Sequence, residues 1–189
     1  MLMSFTHIVP WMQHILQHKD KLLIISTLCP PTIDVVKVNV DGSCIPPHSM
    51  GGGGFIRDTH GEWLRGFSKA FGQGNAYMAE LFSIKHGIEL AWSLGYRKVV
   101  CESDCLEAVE AITHSTLASM ASPSVRDLLI DILLLLSRMW QTHLLCIPRE
   151  ANIVADRLET FGSHNVTREF IVPPSFVMEA FLHDLLALG

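Results

Sequence analysis

Basic residues are scarce in this sequence: 14 Lys and Arg stand against 19 Asp and Glu, for a formal net charge of −5 and a pI near 6.0. This excludes a protein held on nucleic acid by a broad basic surface. A nuclease stays open, because an acidic centre attracts phosphate once cations bind it. The five cysteines (Cys29, Cys44, Cys101, Cys105, Cys146) are odd in number and include no CxxC pair. A disulfide framework and a zinc knuckle are disfavoured, and a reducing intracellular compartment, nuclear or cytoplasmic, is expected. The longest aliphatic run, Leu128 to Leu136, is too short to span a bilayer and is broken by Asp131, so it reads as a buried helix. The N-terminus lacks a basic n-region and a clear cleavage site, so neither a secretory signal nor a membrane partner is expected.

What is present is apolar material. Of 189 residues, 49% are hydrophobic and mean hydropathy is positive, enough for one domain with tails. Cys29-Pro30-Pro31 marks a break. We read residues 1–34 as a flank or linker, 35–165 as the domain and 166–189 as a C-terminal tail that packs loosely after a second Pro-Pro break. His14 and His18, at i and i+4, are either a metal pair or an exposed helix face. A monomer is expected.

The domain opens with Val35 to Ser43, where Val36, Val38 and Val40 alternate with Lys37 and Asn39, the period of a strand with one buried face. That strand delivers Asp41 into a Gly-Ser turn. The glycines Gly51 to Gly54 allow either close backbone approach or a flexible hairpin. Phe55 to Arg57 and Trp63 to Phe71 complete a three-strand meander. From Ala76 to Leu94 the period becomes helical, through Met78, Leu81, Phe82, Ile84, Ile88, Ala91 and Trp92, with Glu80 in the first turn beside the apolar stripe. Lys98 to Asp104 reads as a strand running into a helix that Asp104 caps, and this strand-helix succession implies parallel pairing. A helix from Val125 to Met139 and a strand from Thr142 to Ile147 follow. A last helix carries Ile153, Val154, Leu158 and Phe161 on one side, with Asp156 in its early turns. Each acid has an ordinary reading: a hairpin residue for Asp41, a dipole partner for Glu80, a cap for Asp104 and an ion pair with a nearby Arg for Asp156.

Taken in order, VNVDGS, then AYMAELFSIKHGIELAWSLGYRKVVCESD, then IPREANIVADRLE, this chain resembles the ribonuclease H-like domains of plant non-LTR retroelements and their derivatives, the reverse transcriptase-like family. The likeness runs over about residues 35 to 163. It implies an α/β fold with a five-stranded mixed sheet, three antiparallel strands then parallel ones, and helices on both faces. It also implies metal-dependent cleavage of the RNA strand of RNA-DNA hybrids. By the resemblance, Asp41, Glu80, Asp104 and Asp156 hold two Mg²⁺ or Mn²⁺ ions, with Asp41 bridging both, Glu80 and Asp104 on one and Asp156 on the other.

The chemistry agrees. In-line phosphodiester hydrolysis needs an activated water and a neutralised leaving oxygen, which two ions roughly 3.5–4 Å apart can supply. Hard oxygen ligands suit these ions, and crowded acids without metal repel one another and raise their pKa values. Gly42, Ser43, Asn75, Lys85, Arg149 and Asn152 are the residues expected to meet nucleic acid by analogy, with Gly51 to Gly54 and Arg157 beside them; each has a plain reading as turn former or surface charge. Cys146 departs from the family, which usually carries His there, a position implied in proton transfer or product release. A domesticated module that binds nucleic acid or a partner protein without cutting is the competing reading.

Overall fold

A computed structural model describes residues 35–114, 122–164 and 167–187. The expectations for residues 1–34, including His14 and His18, lie outside the described residues.

The alternating valines form β1 (Val35–Ile45), which turns back through β2 (Ser49–Arg57) and β3 (Trp63–Gln73) in an antiparallel meander. Helix α1 (Ala76–Ser93) leads to β4 (Lys98–Ser103), which pairs parallel with β1. Helices α2 (Leu106–Thr113) and α3 (Pro123–Leu136) then carry the chain to β5 (Gln141–Cys146), parallel to β4. A short 3₁₀ turn (Arg149–Ala151) precedes α4 (Ile153–Ser163). The chain closes with β6 (Arg168–Phe170) and α5 (Met178–Ala187).

The sheet has six strands, not the five expected, in the order β5-β4-β1-β2-β3-β6. The extra strand is three residues long and pairs with β3, too short to show a period in sequence. The tail is not loose either. Phe181 of α5 stands edge-on to Phe55 and Trp63, at 6.2 and 5.5 Å between ring centroids, and Val177, Ala180 and Phe181 are buried with Phe170 of β6. An aromatic side chain buried this way contributes about 1.5–3 kcal/mol, which fixes the segment to the sheet.

Helices cover both faces. Val36, Val38 and Val40 pack with Ile84 and Ile88 of α1, Ile112 of α2, and Leu129 and Ile132 of α3. On the opposite face, Phe55 packs with Val154 and Leu158 of α4 and with the tail. The β2 glycines make both approaches possible. A methyl added at Gly51 or Gly53 would overlap the α4 backbone at Ser163 or Glu159, and one at Gly52 would strike Ser83 of α1. Close approach, the first of the two readings of this run, is what the glycines provide; they are covered by helices rather than open to a groove. Among the described residues no helix is long and apolar enough to cross a membrane.

Candidate active site

Because side chains alternate along β1, Asn39 and Asp41 point away from the valine face. The sequence reading left that second face open, but α4 covers it: Asn39 is 1% exposed and Asp41 only 7%. The backbone N–H of Gly42 donates to Asp41 Oδ1 at 2.9 Å. β1 runs on through Gly42 and Ser43 to Ile45 instead of turning there as expected; a side chain at Gly42 would overlap the backbone at Ala79 and Glu80, so glycine here lets α1 press against the strand. Asn75 sets where α1 begins, its Oδ1 accepting from the Met78 N–H at 2.9 Å as N-cap. Glu80 therefore falls in the second turn rather than the first.

Asp104 directly follows β4, whose Ser103 lies level with Val40 across the parallel pair. Contrary to the expectation that Asp104 caps α2, Cys105 is the N-cap residue, without a side-chain bond, and its N–H donates to Ser103 Oγ at 3.1 Å. The Asp104 carboxylate is thus free of a capping role. Asp41, Glu80 and Asp104 each offer an oxygen to a group in which all lie within 4.8 Å of one another.

Electrostatics follow from this crowding. Burial, then the charges of Asp104, Glu159 and Asp156, raise Asp41 from 3.8 to about 7. Burial, then Asp41 and Asp104, raise Glu80 from 4.5 to about 9. Glu80 Oε2 is buried without a hydrogen-bond partner.

Asp156 stands apart from this trio. It lies in the first turn of α4, near enough to act on Asp41 but bound to Arg149, whose Nη2 is 3.3 Å from its Oδ1. The expected convergence of four acids is three gathered and one on the rim, where it pairs with a guanidinium. That guanidinium is largely exposed, at 78%.

The residues expected to meet nucleic acid divide in the structure. Asn152 is buried, its Nδ2 donating to Val40 O at 2.9 Å and its Oδ1 accepting from Asn39 Nδ2 at 3.4 Å. Ser43 Oγ donates to Glu159 Oε1. Asn75 caps α1, Gly42 packs beneath it, and Lys85 pairs with Glu89 and Asp131, each at 3.3 Å. Arg157 reaches Phe176 O and Glu179 of the tail. Arg149 stands largely in solvent beside the acids. Cys146 is an exposed free thiol at the end of β5, its Sγ 4.0 Å from Asp104 O.

Two features escaped the sequence reading. Glu159, 5% exposed, is a further acid beside the trio; burial dominates the raising of its pKa. Its spacing of three from Asp156 on one helix was the available signal. Beneath Asp41, Asn39 Oδ1 accepts from Arg57 Nε at 3.2 Å, and the buried Glu102 binds Arg57 at 3.1 Å and Lys37 at 2.8 Å. The polar residues between the β1 valines were its signature.

A mixed sheet in this strand order, with carboxylates gathered beside the middle of its first strand, defines a ribonuclease H-like domain. A family model described as reverse transcriptase-like matches residues 39–161, and the chain belongs to that family. A curated Arabidopsis thaliana protein, whose name assigns it provisionally to ribonuclease H, is 30% identical over 134 residues, 70% of this chain and 21% of that protein. The chain thus spans about a fifth of the length of that curated relative. Among solved structures, the N-terminal RNase H domain of a Mycobacterium tuberculosis protein matches with a TM-score of 0.63 at 23% identity, over 70% of this chain and 95% of that one. RNase H1 of Halobacterium salinarum matches with 0.62 at 17%, over 70% and 99%. LC11-RNase H1, solved in complex with RNA/DNA hybrid, matches with 0.62 at 19%, over 69% and 97%. At these identities the solved structures establish the fold.

Proposed function

We propose that this chain is a metal-dependent endonuclease that hydrolyses the RNA strand of RNA-DNA hybrids. The observation that carries the reading is the gathering of Asp41, Glu80 and Asp104 around a buried Glu80 oxygen that has no partner. Buried polar atoms are rarely left unpaired, and like charges this close repel. A hard divalent cation relieves both costs, and an all-carboxylate donor set fits Mg²⁺ or Mn²⁺. Asp41, Glu80 and Asp104 would hold the first ion; Asp156, whose charge already reaches Asp41, is the further acid for a second. When bound, such ions supply Lewis acidity and lower the pKa of water.

The chain's own contribution is placement. Asn152 and the Gly42 N–H fix Asp41 on a rigid strand, while the Asn75 cap and Gly42 set Glu80 against it. Arg149 stands where it can meet a phosphate and release Asp156. A hybrid duplex suits such a site, since its wide minor groove displays the 2′-OH that distinguishes RNA. LC11-RNase H1, of the same fold, is known in complex with that ligand.

A second reading, nucleic-acid binding without cleavage, is favoured by Cys146 at the position where the family usually carries His, and by the Arg149–Asp156 pair. A gel assay separates the two, using a labelled RNA-DNA hybrid with Mg²⁺ or Mn²⁺ beside single-stranded RNA and duplex DNA. Cleavage confined to the hybrid, and abolished by Asp41→Asn with the fold retained by circular dichroism, supports the nuclease. An intact hybrid, retained by the protein on a native gel, supports the binding module.

A further inference from the structure

A cleft of about 290 Å³ lies between β3 and α1, with Lys69 and Phe71 facing Phe82, Lys85, His86 and Glu89. The ladder places Lys69 opposite Gly52, which is opposite Gly42. Two strand spacings, about 10 Å, therefore separate Lys69 from the backbone beside Asp41.

The two lysines of the cleft are held differently. Lys85 is neutralised by Glu89 and Asp131. Among the described residues Lys69 has no carboxylate at ion-pair distance; its Nζ lies 3.2 Å from His86 Nδ1. Burial, then the charges of Lys69 and Lys85, push the His86 pKa down to about 4, so the ring is neutral and its Nδ1 accepts from the ammonium. His86 is itself held edge-on to Phe67 at 4.6 Å between centroids, which fixes the acceptor and, through it, the cation. Beside them Phe71 and Phe82 stack at 5.4 Å with a 23° interplanar angle, both half-buried.

A positioned cation without a counter-ion, next to aromatic faces, fits a ligand that is anionic at one end and flat and apolar at the other. Nucleotides have that form: phosphate pairs with lysine, and any base stacks on an aromatic ring without sequence preference. The volume is at the small end of ligand clefts, room for one nucleotide rather than a duplex. We propose that the β3–α1 cleft is a subsite for one nucleotide of single-stranded nucleic acid, with its phosphate at Lys69 and its base against Phe71 and Phe82. It stands whether or not the acid cluster cuts.

The test is fluorescence anisotropy of a labelled oligothymidylate with the full chain in EDTA, so that no divalent metal contributes. Wild type is compared with Lys69→Gln, Phe82→Leu and Asp41→Asn, each checked for a retained fold by circular dichroism. Loss of one base stack corresponds to about fivefold or more in affinity. We expect at least that loss for Lys69→Gln and Phe82→Leu, a shallower salt dependence for Lys69→Gln, and no loss for Asp41→Asn. Amide shifts in ¹H–¹⁵N spectra of the wild type, which need no variant to fold, should centre on Lys69, Phe82 and His86. Wild-type affinity in both cleft variants, no saturable binding, or shifts centred on Asp41 and Asp104 instead would overturn the assignment.

Discussion

Asn152 Nδ2 donates to the carbonyl oxygen of Val40 at 2.9 Å, one residue before Asp41. The bond joins the start of α4 to the middle of β1 and is fully buried, so neither partner can turn to water instead. Asn152→Ala leaves the Val40 carbonyl unpaired, at a cost of about 1–3 kcal/mol, read as a fall of several degrees in melting temperature. Mn²⁺ affinity should fall with it, because Asp41 loses its support. A variant as stable as wild type by thermal melting would show that Asn152 does not tie the two elements.

Gly42→Ala puts a methyl where α1 presses on β1 at Ala79 and Glu80. Overpacking of this kind costs about 1–3 kcal/mol, and relief by movement of α1 would draw Glu80 from Asp41 and Asp104. We expect a lower melting temperature and a smaller thermal shift on adding Mn²⁺. A variant that is destabilised but retains the full metal shift would place the strain elsewhere.

Cys146→His restores the residue usual in the family at the end of β5, where Sγ lies 4.0 Å from Asp104 O. Its neutral imidazole can exchange protons near neutral pH, which a thiol does poorly. Hybrid cleavage by single-turnover kinetics should rise, while the Mn²⁺-induced melting shift stays as in wild type, because no carboxylate is altered. Equal rates in both forms would remove position 146 from the chemistry.

Local pattern carried much of this fold into view. The alternating valines of β1 and the strand-to-helix transition at Asp104 follow from periods of two and 3.6 residues, and their pairing follows from the order of elements. What stayed hidden depends on distance along the chain. Nothing near Asn39 signals that Asn152, 113 residues on, covers its face, so the polar side of β1 read as solvent-exposed. Likewise, the role of Asp156 turned on the Arg149 pair, and a salt bridge was one of its two open readings. The tail was misjudged because β6 is too short for any period and α5 is anchored by aromatic contacts to Phe55 and Trp63, which lie over a hundred residues earlier.

The raised acids determine how metal-free stability depends on pH. Burial and neighbouring carboxylates lift Asp41 to about 7 and Glu80 to about 9, so the native state holds protons that the unfolded chain has released. Stability from these groups is fully present below the ordinary carboxylate range and is lost as pH rises through about 7 and on toward 9. Mg²⁺ reverses the trend, since it binds the deprotonated carboxylates. In denaturant titrations with EDTA, stability should fall from about pH 5 to about pH 9, and the stabilisation added by saturating Mg²⁺ should grow over the same window. Asp41→Asn should lessen the metal-free decline below about pH 7 and leave the part due to Glu80, itself smaller because the Asp41 charge that helps raise Glu80 is gone. Metal-free stability that instead climbs across this window would mean the three carboxylates are not held together in solution.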